Sequence, residues 1–370
     1  MKVLYFSHGY TVHDQRFLNA IVAAGQQAFF LRLERRDVWN VELPLPKGVQ
    51  ELSWEGGKKP FSWWRARRLV KDLRALVDDL QPDVLHAGPL NSISVLAARS
   101  GFHPLVQMSW GSDILWEAKR NVISRRRVRY ALSKSDVMIG DCQAVAQSAI
   151  ELGFDEDRIV TFPWGVDIKR FKPSPRKSAL RKELDWQDNF VVLHTRNWEA
   201  IYGVENVAKA FAQATQGDPG LRLLMPGKGS QERSIKSIFR KAGVLERVHF
   251  AGQLGQEDLP AYYQAADLYL SGSYSDGSSV SLMEALASGL PALVSDIPAN
   301  REWVQAGDEG WLFPLDDVDA LAAAIRFARE QHAQFAQMKK RARHKAELRA
   351  DWTKNQLGIS RAYELAMRQN

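Results

Sequence analysis

Residues 271–300, SGSYSDGSSVSLMEALASGLPALVSDIPAN, hold the side-chain types and spacings best suited to chemistry. Asp276 sits in a loop of small and polar residues, and Glu284 follows after seven intervening residues. The periodic run Val280, Leu282, Met283, Ala285, Leu286, Ala287 predicts a helix with Ser278 or Ser279 as N-cap. A helix N-terminus carries partial positive charge and free backbone N–H groups, so Gly277, Ser278 and Ser279 suit an anion such as a diphosphate. A carboxylate inside that helix is poorly placed for phosphate but accepts hydrogen bonds from hydroxyl groups. The pair of acids therefore suggests acceptors for sugar or ribose hydroxyls on either side of a diphosphate. The alternative is a plain Gly/Ser loop with Glu284 exposed.

Such a loop needs a strand before it and another after its helix. Leu268-Tyr269-Leu270 supplies the first and LPALVS the second. The same alternation runs through the chain. KVLYFS, QAFFLRL, DVLHA, PLVQMSW, DVMIG and RIVTF read as strands separated by helices, including one near 62–80 and a basic one near 119–133. FVVLHTR, LRLLMPG, RVHFAGQ, DLYLSGS, LPALVSD and GWLFPL repeat the pattern, and helices are expected from 316 to about 345 and from 352 to about 367. This order predicts α/β architecture: two doubly wound domains with mostly parallel sheets, and a cleft between them beyond the strand C-termini. FPWGVDIKRFKPSPRKS, with three prolines, reads as the linker.

The stretch from Asp276 to Glu284 resembles the E-x7-E signature of retaining GT-B-fold glycosyltransferases of family 4, which includes glycogen and sucrose synthases. Glu284 matches the second Glu, which in that family binds the nucleotide ribose. Asp276 stands at the first position, beside the donor sugar, and is one methylene shorter. The resemblance implies a GT-B fold of two Rossmann-like domains, residues 1–165 and 176–351, with a last helix at 352–370 crossing back onto the first. It implies a nucleotide-diphosphate sugar as co-substrate, a hydroxyl acceptor, no further cofactor, no metal, and retention at the anomeric carbon.

Other residues take roles from their places after strands. Gly9 follows the first strand, where the family often has a glycine-rich loop near the donor phosphates. His86 ends DVLHA and resembles the family's P-D-V-x-H segment; a buried structural histidine is the alternative. After PLVQMSW, where family members often have a histidine, this chain has Trp110, which stacks or excludes water but exchanges no proton. Asp113 is then the nearest titratable group. Arg196, in VLHTRNWEAIYG, matches the family's arginine for the donor diphosphate, while Tyr202 stands where a lysine usually precedes the glycine. Lys228, flanked by Gly227 and Gly229, is a candidate replacement for that charge. Gln253 and Leu254 lie in the segment that holds the nucleobase through main-chain groups, so the base itself is not legible.

Composition bounds the partners. A single cysteine among 370 residues excludes an intrachain disulfide and fits a reducing cytosol. The apolar N-terminal run VLYF is too short for a signal peptide, and no stretch approaches a membrane span, so a cytoplasmic location is expected. A net charge of +7 favours acidic partners. Two basic stretches carry it: KKPFSWWRARRLVKDL, and the run from Lys119 to Lys134 with seven cations and no acid. Aromatic residues beside cations make an anionic membrane surface a candidate partner, on the inner face of the cell membrane. No nucleic-acid recognition module, zinc-ligand spacing or G-x-S-x-G motif is present. The expectation is a retaining glycosyltransferase. Its rivals are a sugar-nucleotide epimerase or hydrolase of the same fold, and a nucleotide-binding pseudo-enzyme acting as scaffold.

Overall fold

The computed structural model describes residues 1–33, 43–59, 61–174 and 179–369. Residues 175–178 of the expected linker lie outside the described residues. The chain divides into two units. One comprises Met1–Pro163 together with the C-terminal residues from Gln356 onward; the other is Trp164–Asn355.

In the first unit, β1 (Lys2–His8), β2 (Gln27–Leu33), β3 (Val49–Glu51), β4 (Val84–Ala87), β5 (Leu105–Met108), β6 (Val137–Gly140) and β7 (Ile159–Thr161) form one sheet in the order β3-β2-β1-β4-β5-β6-β7. In the second, β8 (Phe190–Leu193), β9 (Leu221–Leu224), β10 (Val248–His249), β11 (Leu268–Ser271), β12 (Ala292–Ser295) and β13 (Gly310–Phe313) take the order β10-β9-β8-β11-β12-β13. Every pairing is parallel. Both orders reverse direction once, between β1 and β4 and between β8 and β11, and ligands bind beyond the strand ends at such switch points. The central strands read as apolar runs because helices cover both faces. Val3, Leu4 and Phe6 are wholly buried, as are Val84, Leu85, His86 and Ala87.

Three elements differ from expectation. β3 carries two exposed polar residues in three, so it has no apolar run to announce it. The basic segment breaks at Asn121, whose side chain accepts from Ser124 N at 2.8 Å and caps the helix Val122–Ser133. The C-terminal helical region divides into Val318–Glu330 and Phe335–Arg349. Beyond them Asp351 accepts from Thr353 N and Thr353 Oγ1, and opens the turn Trp352–Asn355.

The last helix, Leu357–Arg368, packs on β5, β6 and β7 and on the first helix, Val12–Ala23. Ile359, Ala362, Tyr363 and Ala366 recur at helical spacing and form its buried stripe. Tyr363 reaches His86 on β4, with its hydroxyl 2.8 Å from Nδ1. Tyr5 and Phe17 meet the imidazole edge-on, at centroid separations of 5.0 and 6.1 Å. This corrects the catalytic expectation for His86. It is a core residue joining the last helix to the sheet, and burial depresses its pKa to about 3.

That depression sets the sign of a pH effect. The unfolded histidine takes a proton near pH 6.5 and the folded one only near 3, so its contribution to stability is lost as pH falls through that window. Urea unfolding of wild type and His86→Gln at pH 7 and pH 5 isolates it. Wild type should lose about 2 kcal/mol more than the variant between the two pH values. Parallel losses would mean that His86 titrates normally in the folded protein.

Candidate functional site

The second unit's switch point brings together two loops. Arg196 lies three residues beyond β8, and loop 272–279 leaves β11 beside it, since β8 and β11 pair through Val192 with Leu268 and Leu193 with Tyr269. Close approach needs a glycine. Gly203 has φ 59°, and a Cβ there would lie 2.1 Å from the Gly272 carbonyl oxygen.

Arg196 is the hub. Its Nη2 lies 3.0 Å from Asp276 Oδ2, and each of the two side chains is only 14% exposed. Nη1 donates to Ser279 Oγ and Ser281 Oγ, both at 3.3 Å. The guanidinium also lies 4.0 Å from the centroid of the Tyr202 ring. Burial pushes the Asp276 carboxyl up, and Arg196 and nearby hydroxyl and amide donors pull it back. For Arg196, burial pulls the pKa down, and Asp276 together with Tyr202, Tyr269 and Tyr263 outweighs it and raises the pKa. Their 3.0 Å separation makes the two an ion pair.

Ser279 is the N-cap of the helix Val280–Ala287, but its hydroxyl turns to Arg196 and Ser281 instead of capping a backbone N–H. Gly277 and Ser278 are buried beside it. Glu284 is buried on the helix and accepts from Tyr263 Oη at 2.8 Å. The same hydroxyl lies 3.0 Å from Thr195 Oγ1, which ties Glu284 to the loop bearing Arg196. Tyr269 Oη meets Ser281 Oγ at 2.8 Å and extends the network into β11.

Three further expected donor residues lie on neighbouring loops. Lys228 follows β9, and its carbonyl accepts from Trp198 N at 3.0 Å. A Cβ on Gly229 would lie 2.4 Å from Trp198 O, so the 225–229 loop packs directly on the loop of Arg196. Glu199 clasps Ser230 through both carboxylate oxygens, which leaves Tyr202 as the residue on Arg196. Gln253 is exposed and Leu254 half-buried in the turn after β10, where Gly252 O accepts from Gly227 N at 2.6 Å.

The first unit holds the other expected residues. Gly9 has φ 67° at the end of β1, and its N–H donates to Leu33 O at 3.1 Å. Trp110 is half-buried beyond β5 and edge-on to His13, with centroids 5.7 Å apart. Asp113 needs correction. Its carboxylate is buried and accepts from Ser109 Oγ and Ile114 N on one oxygen, and from Leu90 N and Trp110 N on the other. Burial raises its pKa and these donors oppose the rise. With four donors satisfied it tethers two loops, and it is not placed to exchange protons with a ligand.

Comparison with known proteins follows this division. The "Glycosyl transferase 4-like" family matches residues 2–142, and "Glycosyl transferases group 1" matches residues 176–345. The chain belongs to the family 4-type glycosyltransferases. The D-inositol 3-phosphate glycosyltransferase of Nocardia farcinica is 30% identical over 207 residues, covering 52% of this chain and 46% of the relative. The phosphatidyl-myo-inositol mannosyltransferase of Mycolicibacterium smegmatis is 28% identical over 298 residues, covering 76% and 71%. The alignments with the first two curated relatives thus span about half of those proteins' own lengths. Among solved structures, Anabaena HepE in complex with UDP-glucose superposes with a TM-score of 0.79 at 22% identity, over 98% of this chain and 99% of that one. The fold is GT-B, with two Rossmann-like units.

Tyr263 and Thr195, which hold Glu284, and Ser281 and Tyr269, which extend the Arg196 network, were not anticipated. Ser281 is the polar residue that interrupts the apolar run after Ser279, which is a usable signal. Tyr263 lies 21 residues from Glu284 and carries none.

Removing one member of a buried ion pair strands the other. Asp276→Ala and Arg196→Ala should each lower unfolding free energy by about 2–3 kcal/mol, and the double variant by less than their sum. Additive losses in urea melts would show that the pair contributes no coupling.

Proposed function

We propose that this protein transfers a sugar from a nucleotide-diphosphate sugar to a hydroxyl acceptor, with retention at the anomeric carbon and without a metal ion. One observation carries the reading: a guanidinium at the switch point of the second sheet, held by Asp276, Tyr202 and two serines beside the N-terminus of Val280–Ala287. As the bond to the anomeric carbon loosens, negative charge builds on the diphosphate. Arg196 and the N–H groups of Gly277, Ser278 and Ser279 would stabilise that charge in a pre-set geometry. Lys228, on the adjoining loop, would add a second cation. Glu284, oriented by Tyr263, would accept from the ribose hydroxyls, and Asp276 would share its carboxylate between Arg196 and the donor sugar. Gln253 and Leu254 would meet the nucleobase through the main chain.

In the first unit, Trp110 would offer an aromatic face to a sugar or acceptor, while Gly9 is buried and would act only by letting β1 end in a tight turn. Asp113 acts on that region only by fixing the Trp110 loop. HepE is described in complex with UDP-glucose, and the two curated relatives are named for inositol phosphate and phosphatidylinositol. These names support a nucleotide sugar as donor and a lipid or glycan precursor as acceptor. Among the described residues no helix is long and apolar enough to cross a membrane.

A thermal-shift panel of UDP, GDP, ADP and their sugars identifies the donor by the largest stabilisation. With that donor, Arg196→Ala should lower kcat about 100-fold or more, and Glu284→Ala should weaken donor binding by roughly 10- to 100-fold. NMR of the glycoside should show an α-linked product from an α-linked donor, with activity intact in EDTA. Donor consumed at full rate without acceptor would favour the hydrolase or epimerase. Tight donor binding with no turnover against any hydroxyl acceptor would favour the scaffold. An inverted product would overturn retention.

A further inference from the structure

Residues 194–203 and 272–287 hold one arginine or lysine, Arg196, against three acids, Glu199, Asp276 and Glu284. His194 adds no charge at neutral pH, because burial depresses its pKa to about 4. Glu199 is clasped to Ser230 and Glu284 meets Tyr263, while Asp276 faces the guanidinium. It does so through Nη2, and Nη1 is spent on Ser279 and Ser281. Arg196 Nε is buried and meets no acceptor among the described residues. Nε and Nη2 share one edge of the guanidinium plane, the edge that binds a carboxylate or phosphate through two parallel hydrogen bonds. Asp276 thus uses half of it. Its carboxylate also accepts from Gly277 N–H and from the hydroxyls of Ser273 and Ser279. Asp276 can therefore lose the guanidinium and keep three donors, and Arg196 can lose Asp276 and keep two serines and the Tyr202 face. The pair can open without leaving either charge bare.

A diphosphate approaching the N-terminus of Val280–Ala287 meets a guanidinium that Asp276 already neutralises. Its oxygens carry more charge than one carboxylate and can take both N–H groups of the shared edge. We infer that Asp276 competes with the donor's diphosphate for Arg196. The carboxylate holds the guanidinium before binding, yields the Nε–Nη2 edge to phosphate oxygens, and reclaims it as the nucleoside diphosphate leaves. Asp276 is released toward the sugar hydroxyls only once the diphosphate is seated, and its return lowers affinity for the product. The inference rests on the proposed donor site and adds a regulation of it. A site whose competent state is only fractionally populated binds its ligand more weakly by that fraction.

Isothermal titration of the full chain with UDP, GDP, ADP and their nucleosides tests it. Asp276→Asn keeps the shape of the side chain and removes its charge. It should bind the nucleoside diphosphate that wild type binds about 10-fold more tightly, and the matching nucleoside no more tightly. In an Arg196→Ala background the same substitution should gain less than about 3-fold, since no guanidinium is left to compete for. Asp276→Ser repeats the comparison if the asparagine variant does not fold. A crystal structure of wild type with the same nucleoside diphosphate needs neither variant, and should show a phosphate oxygen on Arg196 with Asp276 beyond hydrogen-bond reach of it. An Asp276–Arg196 contact intact beside the bound diphosphate would overturn the inference. So would unchanged or weaker diphosphate binding by Asp276→Asn, a gain shared by the nucleoside, or equal gains with and without Arg196, which would make Asp276 a plain repelling charge. Wild type that binds no nucleoside diphosphate would overturn the donor-site reading and the inference with it. Binding by wild type without a gain in the variant removes only the competition and leaves that reading standing.

Discussion

A guanidinium held almost out of water is the constraint on which the second unit depends. Moving a charge from water into a protein interior costs several kcal/mol unless partners replace its hydration. Arg196 finds them in Asp276, Ser279, Ser281 and the Tyr202 face. These partners come from both sides of the sheet's switch point, so satisfying one charge fixes the relative position of two loops. Gly203 lacks a side chain where those loops meet, and Ser279 gives its hydroxyl to Arg196 instead of capping its own helix. Glu284 joins through Tyr263 and Thr195, which makes the helix N-terminus, the arginine and the second acid one rigid assembly.

The first unit solves a related problem with the opposite charge. Asp113 is as deeply buried, but its hydrogen bonds come from three backbone N–H groups and one serine, and no cation faces it. Hydrogen bonds to backbone cannot be exchanged for bonds to a ligand without unravelling the loop. Arg196 differs because its partners are side-chain hydroxyl, ring and carboxylate groups, which can shift without unravelling a loop.

Much of the architecture was legible because strands of a parallel sheet covered on both faces must be apolar runs, and their loops must be small and polar. The loop bearing Asp276 and the helix bearing Glu284 were legible for the same reason, since they follow the end of β11 in sequence. What the sequence hid was satisfaction. His86 and Asp113 have the side-chain types of catalytic groups, and nothing local distinguishes them from such groups. Their status is decided by Tyr363, 277 residues from His86, and by Leu90, 23 residues from Asp113. β3 and the break at Asn121 were hidden differently. One lacks an apolar run, and the other interrupts a charge pattern without changing composition.

The distribution of charge adds a last step. In the second unit most prominent cations are answered: Arg181 by Asp267, Arg329 by Asp218, Arg341 by Asp308, and Lys345 by Glu309. These pairs stitch helices to loops and leave little charge for a partner. On the helix Val122–Ser133 and its neighbour, Arg99, Arg125, Arg126, Arg127 and Arg129 meet no acid among the described residues. These five arginines form a basic patch on the first unit. Unpaired cations beside solvent-exposed Val122, Ile123 and Trp64 combine two features that a surface exposed only to water has no reason to combine. Salt and water can neutralise the first and do nothing for the second.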